Sequence, residues 1–355
     1  MKIEKQIPRQ WYFDEELFYL ENENLLGRSW SYVCRKEELS TVGSYVTAQL
    51  GKEQVLVLRK KDMTLAAFHN VCPHRGARIL EGKGICDKLK CPYHAWIFDE
   101  NGDTHHVPKS SWFGPCTDFT ELKLRSAAVK VWKGFIFVNP STECEEFEEW
   151  IGDYGEYLDG CQIDCEELEE VSRFTFDEQI NWKLIVENYV EDYHFAYVHP
   201  KTLAAFDFSR VRTLPTKNHI RIPMPYKRTP PVGHSKYPWQ HGSVSRQGFI
   251  FPTLTLQPAT NHLSLFIIKP ISANRSVIEI PVYQTPQQRI NYPIDLALLK
   301  RDIENDMEED FAICRALQIN TQSSHYSVNV LAGEHELGVK HFHETWRSFM
   351  SPFLT

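Results

Sequence analysis

Cys72, His74, Cys91 and His94 stand in the chain as C-x-H-x16-C-x2-H. Thiolates and imidazoles ligate both zinc and iron-sulfur centres, and their order here separates the two. Zinc fingers of the Cys2His2 type run Cys, Cys, His, His, with the histidines about three to five residues apart. In this chain each short stretch supplies one Cys and one His, so one iron can take both thiolates and a second iron both imidazoles. Neutral imidazoles in place of two anionic thiolates raise the potential of such a cluster, to between about −150 and +300 mV. Pro73 and Gly76 in the first stretch and Pro92 in the second are turn residues, as loops folded round a buried cluster require.

A second constellation lies in NWKLIVENYVEDYHFAYVHP, residues 181–200, which holds Glu187, Glu191, Asp192, His194 and His199 ahead of Pro200. On a helix Glu191 and His194 share a face, whereas His194 and His199 lie about 140° apart. Both histidines reach one ion only if the helix stops between them. Pro200 favours that stop, because the residue before a proline is pushed out of helical geometry. Two histidines sharing one ion would call for a further acid. The segment from Tyr292 to Gln318 reads as a long helix after Pro293, with Leu296, Leu299, Ile303, Met307, Cys314 and Leu317 in one apolar stripe. Asp310 falls within that stripe, Glu308 and Glu309 point away, and Asp306 sits at its edge. A carboxylate on a core face needs a partner, either a metal ion or a buried salt bridge.

These residues must be positioned by elements of two kinds. Residues 1 to about 40 read as two short amphipathic helices, one around Phe13, Leu17, Tyr19 and Leu20 and one around Leu25, Leu26 and Trp30. From Gly43 the period changes to two, in SYVTAQL, QVLVLRK, LAAFHNV, AWIFDENG and GFIFVNP, with Asn101-Gly102 as a hairpin turn. An all-β domain over residues 41–140 follows. Glu143 to Glu170 is a strongly acidic, partly helical connector. GFIFPTLTLQ, HLSLFIIKPI and VIEIPVYQT are the clearest strands of a second domain, over 141–355, which the first 40 residues are expected to pack against. The Pro-rich, basic stretch from Leu214 to Pro238 reads as a pocket lid or inter-subunit loop.

At 355 residues the chain is long enough for two domains, and its 42% hydrophobic and 24% charged residues are those of a globular protein. A net charge of −8 without a basic, aromatic-studded patch argues against nucleic acid. The chain has no apolar run long enough for a membrane span and no signal-peptide core, so a cytoplasmic location without membrane attachment is expected. Nine cysteines, an odd set without a secreted framework, fit a reducing compartment. Cys161 and Cys165 read as ordinary thiols. Between Arg75 and Lys90 the local excess is +3, from Arg75, Arg78, Lys83, Lys88 and Lys90 against Glu81 and Asp87. It is either a solvated loop or a docking face for an acidic electron donor.

On the Cys72–His94 motif the chain resembles the Rieske proteins. It is nearer to the Rieske-type oxygenases, because the respiratory proteins carry an extra cysteine in each loop where Ala77 and Tyr93 stand here. Ala95 departs from the Gly that usually follows the second histidine. The stretch N-W-K…E-N…E-D-Y-H-x4-H-P also resembles the iron-binding stretch of these oxygenases. That resemblance implies an α+β fold: an all-β Rieske domain, and a helix-grip-like catalytic domain with an antiparallel sheet packed against helices. It makes Cys72, His74, Cys91 and His94 ligands of a Rieske 2Fe-2S cluster. His194, His199 and Asp310 become ligands of a mononuclear non-haem Fe(II), with Asp310 placed by the pattern of Glu309, Asp310 and Gln318. Glu191 would be the catalytic carboxylate bridging a Rieske histidine of one subunit to an iron-bound histidine of the next, with Asp192 as its rival. The resemblance further implies a homotrimer or a multiple of it, O2 as co-substrate, and electrons from NAD(P)H reaching the chain only through a separate reductase or ferredoxin. No G-x-G-x-x-G follows a strand to bind the nicotinamide directly.

Q-W-Y-F-D near the start and E-N-Y-V-E-D-Y-H at the iron are similar to oxygenases of quaternary ammonium compounds such as choline, glycine betaine or carnitine. Such a small-molecule cation wants an aromatic cage. Tyr189, Phe195, Tyr197, Phe206, Phe208 and Trp239 are candidates, with Asn188, Tyr189 and Phe195 nearest the ligands. Hydroxylation of an aromatic ring, and a Rieske electron carrier without oxygenase activity, are the alternatives.

Overall fold

The computed structural model describes residues 7–114, 117–161, 163–227, 244–259, 261–326 and 330–354. The chain divides into two compact units, Glu21–Phe147, and Met1–Leu20 with Glu148–Thr355. The boundary expected near residue 40 therefore falls earlier. Residues 25–30 do not form a second amphipathic helix, and the chain passes instead into the strand Ser31–Arg35. That strand pairs with Phe135–Asn139, which accounts for its membership of the first unit.

Among the described residues the first unit holds a seven-stranded antiparallel sheet. Its order is Ser31–Arg35, Phe135–Asn139, Ser126–Trp132, Leu65–His69, Glu53–Arg59, Ser44–Leu50, Lys83–Ile85. A small three-stranded sheet, Leu89–Lys90, Ile97–Phe98 and Thr104–His106, stands beside it. Alternation along these strands builds two cores. One is made by Val55, Val57, Ala67, Ile136 and Val138, and the other by Leu56, Leu58, Phe68, Trp96 and Phe98 together with Cys72 and Cys91. The turn at Asn101-Gly102 forms as its sequence predicts. Gly102 has φ +85°, and a Cβ there would meet the Phe68 ring at 2.7 Å.

Among the described residues the second unit is built on a seven-stranded antiparallel sheet. Its order is Glu169–Glu178, Arg275–Gln284, Leu263–Ser272, Leu254–Pro258, Val244–Ile250, His219–Pro225, Leu214–Thr216. GFIFPTLTLQ, read as one strand, is a hairpin: Ile250 pairs with Leu254 round Pro252, which lacks the N–H a strand interior needs. The stretch from Leu214 is sheet as far as Pro225 rather than a lid, and its part from residue 228 lies outside the described residues.

The long helix is Leu296–Asn320, capped by Asp295, whose carboxylate accepts from Ala297 N and Leu298 N. Its buried residues are Met307, Phe311, Cys314 and Gln318, while Leu296 and Leu317 of the expected stripe remain 48% and 37% exposed. The expected stripe therefore overstates how much of that face is covered. Within the same unit the N-terminal residues are tied in by three contacts. The Tyr12 hydroxyl donates to Glu187 (2.7 Å), Gln318 Nε2 donates to Tyr12 O (2.9 Å), and Trp11 packs on Trp346.

Candidate active site

The loops that carry Cys72 with His74 and Cys91 with His94 repeat one another bond for bond. In the first, Gly76 N donates to Cys72 O (2.8 Å) and Cys72 N to Ala77 O (2.8 Å). In the second, Ala95 N donates to Cys91 O (3.0 Å) and Cys91 N to Trp96 O (2.8 Å). Each loop closes on a left-handed residue, Gly76 at φ 74° and Ala95 at φ 58°. Ala95 thus occupies backbone space that glycine adopts without a Cβ clash. Cys72 and Cys91 are buried, and burial together with the neighbouring Cys91 pushes the Cys72 thiol up to about 11. His74 and His94 pack with ring centroids 4.6 Å apart, and His74 stacks on Trp96 at 4.9 Å. The Nδ1 atoms of both histidines are buried without a hydrogen-bond partner. Two buried thiols and two orphaned imidazole nitrogens fit the donor set of a Rieske cluster.

The second site begins at Asn181, which caps the helix Trp182–Tyr189 through its side chain and donates to Ala273 O (2.6 Å). Its own N–H is received by Gln318 Oε1 at 2.7 Å. That helix stops at Val190, before His194 rather than between the two histidines. Glu191 and His194 consequently meet in a loop, not on a helical face. The Glu191 carboxylate accepts from the backbone N–H groups of Tyr193 and His194 and pairs with His194 Nδ1. A single helical turn, Phe195–Val198, then ends on His199 ahead of Pro200.

His194 and His199 reach one place together with Asp310. Their nitrogens and the Asp310 carboxylate lie within 4.8 Å of one another. Asp310 Oδ1 is 2.8 Å from His199 Nε2 and 3.6 Å from His194 Nε2. The remaining nitrogen of each ring is held by a carboxylate, Glu191 for His194 and Glu309 for His199, the latter at 2.7 Å. Carboxylates in this position fix the ring and its tautomer for metal binding. Burial opposes protonation of His199, but the carboxylates of Asp310 and Glu309 outweigh it and hold the imidazole at about 9. Burial and the nearby charges of Asp310 and Glu309 push Asp306 up to about 7. So many carboxylates crowded on two imidazoles fit a divalent cation.

Asp192 turns elsewhere. It is buried and meets His335 Nδ1 at 2.6 Å, so its carboxylate is engaged away from His194.

A cavity of ≈ 80 Å³ opens beside the triad. Asn188, Tyr189 and Phe195 are among the residues that line it. Tyr197 is instead exposed, Phe206 stacks on Tyr226, and Phe208 packs on Phe195 without lining the cavity. Trp239 lies outside the described residues. Leu203, Ile222, Gln247, Gln257, Phe266 and Met307 also line the cavity and escaped sequence reasoning. Strand register brings several of them in, since Ile222 pairs with Gln247 across neighbouring strands. The available signal was an amide, Gln247 or Gln257, set within an apolar strand.

Residues 29–121 match the family described as Rieske [2Fe-2S] domain, and residues 165–352, more than half the chain, match ring hydroxylating alpha subunit (catalytic domain). The chain belongs to the ring-hydroxylating alpha subunits, with a Rieske domain ahead of the catalytic domain. It is an oxidoreductase of the Rieske non-haem iron type, whose cofactors are a 2Fe-2S cluster and a mononuclear iron. The carrier alternative is thereby set aside. The chain is 28% identical over 351 residues to the carnitine monooxygenase oxygenase subunit of Escherichia coli K12, covering 95% of this chain and 91% of that protein. It is 25% identical to the chloroplastic choline monooxygenase of Amaranthus tricolor, covering 95% and 76% respectively. A crystal structure of a quaternary ammonium Rieske monooxygenase with L-carnitine shares the fold, with a TM-score of 0.80 at 23% identity over 98% of this chain and 96% of that one. Among the described residues no helix is long and apolar enough to cross a membrane.

Proposed function

We propose that the chain is the terminal oxygenase that hydroxylates an N-methyl group of a small alkylammonium compound. The observation that carries this reading is the cavity wall, where the rings of Tyr189, Phe195 and Phe266 and the carboxylate of Asp306 stand beside His194, His199 and Asp310. Among the described residues no lysine or arginine lines it. Aromatic rings and a carboxylate favour a cation and disfavour an anion. The names of the relatives, carnitine and choline monooxygenases, agree with that chemistry.

His194, His199 and Asp310 would hold the iron, and Cys72, His74, Cys91 and His94 the cluster. When bound, the cluster supplies single electrons and the iron offers open positions for dioxygen. One oxygen atom enters a methyl C–H bond and the other leaves as water, using two electrons and two protons from outside. The resulting N–CH2OH group breaks down to formaldehyde and the demethylated amine. Glu191 and Glu309 orient the histidine rings, while Leu203, Ile222 and Met307 exclude water from the reacting carbon. Glu191 also serves as the bridge to a Rieske histidine of a neighbouring subunit in a homotrimer, a reading that rests on the family pattern and on its bond to His194.

A separate reductase or ferredoxin docks at the basic rim of the Rieske loops. Arg78 pairs with Glu81 and Lys83 with Glu38, leaving Arg75, Lys88 and Lys90 without an acidic partner among the described residues. The domains follow the same assignment, a Rieske domain ending near residue 147 and a catalytic domain after it.

Single turnover of the reduced, iron-loaded protein with dioxygen tests the reading, followed by oxidation of the cluster's visible absorbance. Choline-like cations should stimulate it and their neutral tert-butyl isosteres should not. Stimulation by simple aromatic acids alone would move the assignment to ring hydroxylation.

A further inference from the structure

Asp306 stands on the cavity wall four residues before Asp310, on the same face of the helix Leu296–Asn320. His194, His199 and Asp310 already make a complete 2-His-1-carboxylate set, although Asp306 also falls in a second group of possible ligands with His199 and Glu309. The Oδ1 of Asp306 is buried with no hydrogen-bond partner. The Thr202 hydroxyl offers the carboxylate a hydrogen bond but is shared with Glu309, to which it donates at 2.7 Å. A carboxylate short of a donor is costly, and Asp306 is among the residues that line the cavity.

The other polar groups of the wall are already engaged or neutral. The Tyr189 hydroxyl donates to the carbonyls of Gly248 (3.4 Å) and Leu256 (3.3 Å), and Asn188, Gln247 and Gln257 are amides. Asp306 is therefore the group on this wall, outside the triad, that can neutralise a cation and accept its proton-bearing bond. A quaternary ammonium ion answers the charge but has no N–H, whereas a protonated tertiary or secondary amine answers both.

We infer that Asp306 accepts an N–H from the substrate, so that the pocket selects protonated tertiary and secondary N-methyl amines over quaternary ammonium ions. This inference rests on the N-methyl reading above and narrows it to a substrate class. Asp306 is in this sense a specificity residue rather than an iron ligand.

The test compares binding of N,N-dimethylethanolamine, choline and the neutral isostere 3,3-dimethylbutan-1-ol to the anaerobic holoenzyme by calorimetry near pH 7. Wild type, Asp306→Asn and Asp306→Glu are used, each with its iron counted. A hydrogen bond to a charged group should make wild type prefer the dimethyl amine over choline by about ten- to a hundredfold. Asp306→Asn should lose that preference with its iron retained, and Asp306→Glu should keep its direction. Choline bound as tightly as the dimethyl amine by wild type overturns the inference, and this ratio decides the matter even if a variant fails to fold. An undiminished preference in Asp306→Asn also overturns it, as does loss of iron from that variant, which would make Asp306 a ligand. If neither cation binds while simple aromatic acids do, the N-methyl reading itself has failed, a result distinct from two cations binding alike.

Discussion

His199 donates through Nδ1 to the Glu309 carboxylate at 2.7 Å, and that single bond turns its Nε2 toward Asp310. Glu309 is itself steadied by Thr202 at 2.7 Å. Removing it should free the ring to rotate and lower its basicity as the proposed ligand. The variant Glu309→Ala should bind Fe(II) about ten- to a hundredfold more weakly with its fold intact, as read by competition with a chelator. Unchanged affinity would show that the ring is oriented by its neighbours alone.

As a proposed iron ligand, the same histidine should make iron uptake dependent on pH. In the iron-free protein burial disfavours its charge, but Asp310 and Glu309 hold its proton to about 9, above the ordinary 6.5. A raised histidine contributes stability that is full below about 6.5 and is lost as pH rises through about 9. The iron-free protein should lose this contribution across that window. Iron must find the ring neutral, so binding near pH 8 should expel a proton and tighten as pH rises toward 9. Calorimetry in buffers of different ionisation enthalpy measures that proton. No proton release would mean that His199 is already neutral before iron arrives.

Glu191 is clasped by two backbone N–H groups and pairs with His194. Glu191→Gln preserves the size of the side chain and removes its charge. The variant should retain both the cluster spectrum and the mononuclear iron yet lose turnover by about a hundredfold. Full activity with both centres present would rule out the bridging role.

Ala95 offers a test in the opposite direction. At φ 58° it closes the second Rieske loop where Gly76 closes the first at φ 74°. A left-handed L-residue costs about 1–2 kcal/mol, offset on change to glycine by about 0.5–1 kcal/mol of added chain entropy. Ala95→Gly should therefore stabilise the protein by about 0.5–1 kcal/mol, seen as a higher denaturation midpoint with the cluster intact. Destabilisation would show that the Ala95 methyl makes a contact worth more than the strain.

Acid should act on a third histidine. His219 is buried in the catalytic sheet, donating through Nε2 to Trp150 O (3.0 Å) and accepting from Phe251 N (3.2 Å) at Nδ1. Burial holds it down to about 4. Its stability contribution is present above the ordinary 6.5 and is lost as pH falls through about 4. Replacing it with Gln should flatten the fall in stability between about pH 6.5 and 4. An unchanged acid limb of the stability curve would place the acid sensitivity in other groups.

The parts of the site that are close in sequence were legible in it. Each Rieske loop carries its own Cys, His and turn residues, so local geometry sets the ligand spacing. Asp310 was legible for a different reason, because helical periodicity fixes its bearing relative to Met307 and Cys314. Glu309 was not, since the same periodicity turns it away from the core stripe, although its longer side chain still reaches His199. The cavity wall was the least legible. Gln247, Gln257 and Phe266 come from three strands whose faces are set by register and by the hairpin at Pro252, and no single segment carries that information. The exposed first turns of the Leu296–Asn320 helix misled for the converse reason, since apolar spacing records a face that could be covered but not whether it is.

Gln318 joins three distant stretches of chain, receiving the N–H of Asn181, donating to the carbonyl of Tyr12 and riding two turns beyond Asp310 on the same helix. These bonds tie the start of the helix that leads to His194 to the helix that carries Asp310, across more than a hundred residues of sequence. Ties of this kind involve no metal ligand. Loss of iron should leave an idle but intact enzyme, one that a chelator silences and fresh ferrous iron restores without any need to refold.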